Sequence, residues 1–203
     1  MIGKDKVGGI VLAGGQSSRM GREKGLVPFC GKAMVQWVLE ALHPLVSDLV
    51  IVANDRGYET FGYRVVADDF KEMGPVGGLC TGLRASRSEI NFVVGCDMPL
   101  ITTSLLQHLL DQLGDETAIA AQTAGRKQPL VSIYRKEMLP EIVENITVGR
   151  LRMDSALAVA GGLFHTFPGT MPDFDPDSLR NFNTPEDIAE YDCNAARNRF
   201  ARG

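Results

Sequence analysis

Cysteine and long apolar runs are scarce in this chain of 203 residues, and each scarcity excludes a class of protein. The four cysteines are widely spaced and form no Cys-x-x-Cys pair, which argues against a zinc site or a disulfide-stapled secreted scaffold and fits a reducing cytoplasm. The longest early apolar stretch, Val7 to Gly15, is far shorter than the about 20 residues that span a bilayer, and it lacks the flanks of a signal peptide. We therefore expect a cytoplasmic protein.

Clustered positive charge is also missing. The chain has 21 Lys and Arg residues against 25 Asp and Glu residues, a net charge of -4, and its basic residues are scattered except near the C-terminal end. This distribution carries no nucleic-acid footprint and favours small-molecule chemistry. A chain of this length buries roughly 70% of its unfolded surface, so a single domain over residues 1–203, with a frayed tail at 195–203, is the simplest expectation.

Apolar runs with strand and helix periodicity alternate along the chain. Gly8 to Leu12 and Asn91 to Gly95 predict strands buried on both faces, and Met34 to Leu45 has the three- and four-residue spacing of a helix packed on a sheet. Further strands are predicted over residues 49–53, 64–67, 118–121, 130–134 and 162–167, and further helices over 75–85, 102–113, 137–144 and 151–158. The alternation predicts an α/β fold with a doubly wound, mostly parallel sheet and helices on both faces.

A glycine-rich loop, LAGGQSSRMGREK from Leu12 to Lys24, follows the first strand. Gly14 and Gly15 come at the carboxyl end of that strand, the edge at which open parallel sheets bind ligands. Arg19 and Lys24 follow within ten residues and could neutralise a triphosphate. The loop has neither the Gly-Lys-Ser/Thr of a Walker loop nor the G-x-G-x-x-G of a dinucleotide site, and a tight turn with solvated charges is the alternative.

Asp97 follows the apolar run Asn91 to Gly95, so its carboxylate should stand at the same sheet edge as the glycine loop. Carboxylate oxygens suit Mg²⁺, which typically takes one or two of them together with substrate phosphates. An ordinary turn aspartate is the alternative. Together the loop and Asp97 predict a magnesium-triphosphate site.

Four motifs resemble, in the same order, those of the molybdenum cofactor guanylyltransferase family. They are LAGGQSSRMGREK, Gly74 to Leu79 (GPVGGL), Cys96 to Leu100 (CDMPL) and Asn181 to Asp187 (NFNTPED), and they span most of the chain. The resemblance implies a Rossmann-like nucleotidyltransferase fold and the transfer of GMP from GTP to molybdopterin with release of pyrophosphate. It also implies Mg²⁺ as cofactor, and molybdenum-insertion and molybdoenzyme-maturation proteins as partners.

The same resemblance assigns the site residues. The implied nucleotide-binding residues are Leu12, Ala13, Gly14, Gly15, Lys24, Asn54, Asp68 and Asp97, with Asp69 as the alternative to Asp68. Asp97 is implied to bind Mg²⁺ and to act in catalysis with Arg19 and Lys24. Asn181 and Asn183 are implied to lie near the reacting phosphate on the molybdopterin side.

Gly14 bears on the choice of base. Related cytidylyltransferases carry alanine there, in Leu-Ala-Ala-Gly, and a missing methyl group could make room for a purine, so guanine is favoured over cytosine. A cytidylyltransferase, a sugar-phosphate nucleotidyltransferase and a nucleotide-sensing module without turnover remain the alternatives. The isolated histidines His43, His108 and His165 are assigned no role.

Overall fold

The computed structural model describes residues 2–14, 23–70, 72–123, 126–168 and 174–193. In chain order, the strands of these ranges are β1 (Val7–Leu12), β2 (Pro28–Phe29), β3 (Lys32–Ala33), β4 (Asp48–Val52), β5 (Arg64–Val66), β6 (Ile90–Gly95), β7 (Ala118–Thr123), β8 (Arg126–Arg135) and β9 (Leu163–Thr166). The α-helices are α1 (Met34–Leu42), α2 (Gly74–Ala85), α3 (Thr103–Asp111), α4 (Leu139–Thr147), α5 (Met153–Val159) and α6 (Pro185–Ala189).

Seven of these strands form one sheet, in the order β5-β4-β1-β6-β8-β7-β9, and β2 and β3 form a small hairpin beside it. Strand β1 pairs in parallel with both β4 and β6, and its last residue, Leu12, lies in register with Val52 and Gly95. The carboxyl ends of these three strands therefore meet at one edge. The predicted α/β fold with a mostly parallel sheet is confirmed.

Both faces of the sheet are covered by helices. Along β1, Val11 packs into a core with α1 and α3, whereas Ile10 and Leu12 pack into a second core with α2, α4 and α5. Every residue of β1 and of β6 is buried, as their uninterrupted apolar sequences predicted. None of the helices in the described ranges is long and apolar enough to cross a membrane.

Strand β8 interrupts the parallel order. It is longer than the predicted 130–134 segment and runs antiparallel to both β6 and β7. Only two residues separate β7 from β8, and a parallel crossover needs about a dozen. The helix predicted to reach Leu45 is also shorter, because α1 ends at Leu42 just before His43 and Pro44.

The C-terminal strap, residues 181–193, carries α6 and packs on the hairpin that β2 and β3 form. The ring centroid of Phe29 lies 4.7 Å from that of Phe182 and 5.2 Å from that of Tyr191. A disulfide joins Cys30 in the hairpin turn to Cys193, 163 residues further on. The cysteine spacing did not indicate this pair, because contact between residues so far apart depends on tertiary packing that local spacing does not reveal. The predicted tail, 195–203, lies outside the described residues.

Candidate active site

The glycine loop and Asp97 start from adjacent positions on the sheet edge. The Cys96 N–H donates a 3.0 Å hydrogen bond to the Leu12 carbonyl, and the Ala13 N–H donates one of 2.9 Å to the Val52 carbonyl. These bonds extend the parallel pairing by one residue beyond the strands. Asp97 is therefore held next to the start of the loop, in the position that the strand pattern predicted.

The Lys24 side chain contacts two residues that are far from it, and from each other, in the sequence. Its ammonium Nζ lies 2.5 Å from Asp97 Oδ2 and 2.5 Å from Asn183 Oδ1, and it donates a hydrogen bond to each oxygen. The side chains of Lys24 and Asp97 are only 19% and 11% exposed, so water screens this ion pair less than it would a surface pair. We call Lys24, Asp97 and Asn183 the cation cluster.

Asn181 fixes the other oxygen of the Asp97 carboxylate. Its Nδ2 donates a 3.1 Å hydrogen bond to Asp97 Oδ1, while its own Oδ1 accepts a 2.6 Å bond from Gln128 Nε2. The buried Gln128 amide also donates to the Leu179 carbonyl at 2.7 Å. Asn181 is thereby held with its NH₂ group toward Asp97, which leaves Oδ2 turned toward Lys24.

A glycine and a buried tyrosine set the backbone of Lys24. A Cβ atom added to Gly25 would lie 2.7 Å from the Tyr58 hydroxyl oxygen and 3.0 Å from the Cβ of Cys96, so only glycine lets the chain approach so closely. Tyr58 is fully buried. Burial raises the pKa of the neighbouring Cys96 thiol to about 12, so this cysteine is protonated near neutral pH and is not the nucleophile.

A second group of predicted residues lies on the α2 side of Leu12. Asn54 Oδ1 accepts a 3.1 Å hydrogen bond from the Asp68 N–H, and Asp68 Oδ1 accepts from Thr81 Oγ1 at 3.1 Å. A Cβ atom on Gly78 would lie 3.2 Å from Leu12 Cδ2 and 3.9 Å from Asp68 Oδ2. Asp68 Oδ2 and Leu12 Cδ2 therefore both lie beside Gly78.

The remaining predicted residues belong to the glycine loop. Ala13 is buried and Gly14 is exposed at the sheet edge. Gly15 and Arg19 lie outside the described residues. The structure therefore brings Lys24, Asp97 and the two asparagines together, and it places Asn54 with Asp68 in a separate group.

Two residues of this arrangement were missed in the sequence. Gln128 was not assigned to the site, because nothing in its local sequence indicates that its amide would hold Asn181. Gly25 directly follows the glycine-rich loop, and its need for close packing depends on Tyr58, which is distant in the sequence.

The oxygens of the cation cluster suit a magnesium ion. Asp97 Oδ2 and Asn183 Oδ1 converge on one ammonium group, and Mg²⁺ prefers such oxygen ligands together with substrate phosphates and water. Across the described ranges, no group of three or more His, Cys, Asp or Glu side chains is placed to hold a metal ion. The residues present therefore fit an ion that takes most of its ligands from a nucleotide and from water.

Fold and site together define a class, the Rossmann-like nucleotidyltransferases. Residues 9–158 match the model of the MobA-like NTP transferase domain, and the chain belongs to this family. It is 36% identical over 149 residues to a probable molybdenum cofactor guanylyltransferase of Flavobacterium johnsoniae, a match covering 73% of this chain and 78% of that protein. It is 31% identical over 187 residues to the molybdenum cofactor guanylyltransferase of Vibrio campbellii, covering 90% and 93%.

A solved structure is similar over nearly the whole chain. The molybdopterin-guanine dinucleotide biosynthesis protein A of Archaeoglobus fulgidus superposes with a TM-score of 0.73 at 25% identity, covering 97% of this chain and 100% of that one. The similarity therefore extends past the matched family domain and includes the C-terminal strap that carries Asn181 and Asn183.

Proposed function

We propose that this enzyme transfers GMP from GTP to the terminal phosphate of molybdopterin, forming molybdopterin guanine dinucleotide and pyrophosphate. The observation that carries the proposal is the cation cluster, which sets Lys24, Asp97 and Asn183 at the sheet edge directly beside the glycine loop. Relatives that align over most of their length with this chain are named for the same transfer. The cytoplasm is the compartment in which we expect the reaction, and there the Cys30–Cys193 disulfide would be reduced.

The chemistry requires no nucleophile from the protein. A phosphate monoester has a second pKa of about 6, so the acceptor is largely ionised near neutral pH. One of its oxygens attacks the α-phosphorus of GTP in line, a new P–O–P bond forms, and the bond to pyrophosphate breaks on the opposite side. The protein's task is then to position the two phosphates and to neutralise their charge.

Each residue has a defined part in that task. Lys24, and Arg19 from the glycine loop, bind the triphosphate, while Asp97 and Asn183 hold Mg²⁺. The magnesium ion, when bound, withdraws charge from the triphosphate oxygens and makes pyrophosphate a better leaving group. Gln128 keeps the Asn181 amide on Asp97, so the carboxylate keeps one orientation throughout.

The guanosine is proposed to lie between Gly14 and the group formed by Asn54 and Asp68. No atom of the described residues, which leave out 15–22, would lie within 4 Å of a Cβ atom added at Gly14. Asp68 Oδ2 lies beside Gly78, as Leu12 does, and can accept a hydrogen bond from the nucleotide.

We assign the acceptor to a cavity of about 440 Å³. It is lined by Pro75, Lys127, Pro129, Leu130, Leu151, Arg152, Met153 and Asp154. Leu130 connects it to the cation cluster, because a Cβ atom on Gly95 would lie 3.5 Å from Leu130 Cδ1 and 2.7 Å from Asp97 Oδ1. The apolar walls suit a ring system, and the cations available for its phosphate are Lys127 and Arg152, of which Arg152 lies 3.8 Å from the Asp154 carboxylate.

Pyrophosphate release across GTP, CTP, ATP and UTP, each with Mg²⁺ and molybdopterin, tests the proposal. We expect release with GTP only, and none when the acceptor is left out. Asp97→Asn and Lys24→Ala should abolish release, whereas Lys32→Ala, which removes a surface ion pair with Glu40, should leave it unchanged. Wild-type release from Asp97→Asn would overturn the assigned roles.

The alternatives give different outcomes in the same assay. Release with CTP would indicate a cytidylyltransferase, and release only with a sugar phosphate as acceptor would indicate a sugar-phosphate nucleotidyltransferase. Binding of GTP without release under any condition would indicate a nucleotide-sensing module. Association with molybdenum-insertion or molybdoenzyme-maturation proteins is part of the proposal, because the product must pass to an apoenzyme.

A further inference from the structure

The Lys24 ammonium lies where two oxygens from distant parts of the chain converge. Asp97 Oδ2 carries negative charge, Asn183 Oδ1 carries a partial negative charge, and both lie 2.5 Å from Nζ. A magnesium ion binds oxygen at about 2.0–2.1 Å, so a slight contraction of the same pair would seat the metal. The Lys24 ammonium and the magnesium ion would compete for this position, because two cations bound to the same pair of oxygens would repel each other strongly.

We propose that Lys24 holds the cation position of the nucleotide-free enzyme, and that the metal-nucleotide complex displaces its ammonium group onto the phosphates. The inference rests on the proposed function, which supplies the metal-bound nucleotide. Displacement leaves every charge with a partner. Asp97 and Asn183 bind the metal in place of the ammonium, and the ammonium of Lys24 binds phosphate oxygens in place of theirs. A divalent metal alone offers Lys24 no such partner, so it should bind weakly.

The surroundings of Lys24 allow its side chain to move while its backbone stays in place. The close packing of Gly25 against Tyr58 and Cys96 holds the main chain. The ammonium group of Lys24 is joined to that main chain by a flexible stem of four carbons. The Asp97 carboxylate and the Asn183 backbone also have contacts that do not involve Lys24. Asn181 donates to Asp97 Oδ1, and the Asn183 N–H donates to the Asp187 carboxylate at 2.8 Å.

Binding of Mn²⁺ in the absence of nucleotide, followed by electron paramagnetic resonance, tests the proposal directly. Removing the competing charge in Lys24→Met should tighten Mn²⁺ binding by at least about tenfold over wild type. The matched control, Lys32→Met, removes an ammonium that pairs with Glu40 at 2.6 Å and should leave Mn²⁺ binding unchanged. In the double variant Lys24→Met/Asn183→Leu most of the gain should disappear, because one of the two converging oxygens is lost.

Mn²⁺ binding by folded Lys24→Met no tighter than wild type would overturn the proposal, as would a gain that survives intact in the double variant. Should Lys24→Met fail to fold, trace acetylation of the wild-type lysines supplies the test. Millimolar Mg²⁺ with GTP should change the labelling of Lys24 relative to Lys32, and identical labelling would refute displacement. These measurements need no turnover, so absent pyrophosphate release together with tighter Mn²⁺ binding would refute the proposed function alone.

Discussion

Replacing Gly14 with alanine separates recognition of the base from folding of the loop. The added Cβ atom would meet no atom of the described residues within 4 Å, and the Gly14 backbone is not in the left-handed region. The part of the folded chain that the structure describes therefore has room for the methyl group. Because alanine lowers the entropy of the unfolded chain, the variant should gain about 0.4–1 kcal/mol of stability. At about 2–4 °C per kcal/mol for a domain of this size, its Tm should rise by about 1–4 °C.

Binding of GTP should change in the opposite direction. If the purine packs against Gly14, the methyl group intrudes on it, and overpacking costs about 1–3 kcal/mol. That penalty corresponds to a Kd for GTP about 5- to 150-fold higher than that of wild type. A pyrimidine should leave the space beside Gly14 free. The Kd for CTP, expected to be high in wild type, should therefore be the same in Gly14→Ala.

Titration calorimetry with GTP and with CTP, in the presence of Mg²⁺, measures both effects on one preparation. The melting temperature of the nucleotide-free variant serves as the folding control, since it should not fall. Wild-type affinity for GTP in a stable Gly14→Ala variant would mean that the base does not contact this residue. The preference for guanine would then have to come from another part of the site.

Reducing the disulfide between Cys30 and Cys193, or replacing both residues with serine, should lower the Tm by about 4–16 °C, since such crosslinks contribute about 2–4 kcal/mol. A Tm insensitive to dithiothreitol in scanning calorimetry would mean that the bond does not form in solution. Gln128→Leu leaves the Asn181 amide oxygen unpaired at a cost of about 1–3 kcal/mol and should lower both Tm and kcat for GMP transfer; an unchanged kcat would separate Gln128 from the site. Burial and a neighbouring histidine lower the pKa of His165, so the unfolded chain binds more protons. Stability should therefore fall as the pH drops below about 6.5, and urea unfolding of His165→Gln should show a weaker dependence on pH.

The sheet edge could be predicted from the sequence because its signals are local. Uninterrupted apolar runs identify β1 and β6 as strands buried on both faces, and parallel strands end at the same edge. The positions of Leu12 and Asp97 follow from those two facts. The cap of α6 is equally local, since Thr184 accepts from the Asp187 N–H while the Asp187 carboxylate accepts from Thr184.

The contacts that complete the site could not be predicted in this way. Lys24 and Asn183 are 159 residues apart, and the pairing of Gln128 with Asn181 spans 53. Such contacts depend on how the C-terminal strap crosses the sheet edge, for which no local pattern exists. The hairpin of β2 and β3 has strands of two residues each, too short for any periodicity to appear.

The histidines illustrate the same limit. They were interpreted as isolated, yet His108 Nε2 lies 3.2 Å from His165 Nε2, and the His43 ring lies within hydrogen-bond distance of the Tyr63 hydroxyl. His108 is on α3 and His165 is on the edge strand β9, so their contact exists only after the helix has packed on the sheet. Histidines that are far apart in the sequence can therefore be in contact in the folded protein.

The polar contacts of Lys24 do not have to hold the site together. The C-terminal strap has contacts that do not involve Lys24, since the Phe182 N–H donates a 2.9 Å hydrogen bond to the Asp97 carbonyl. On the side of the hairpin, the strap is also held by the packing of Phe29, Phe182 and Tyr191 and, in the oxidised protein, by the disulfide. Because these apolar and covalent contacts persist when the ammonium leaves, Lys24 can exchange Asp97 and Asn183 for phosphate oxygens while both residues stay in position.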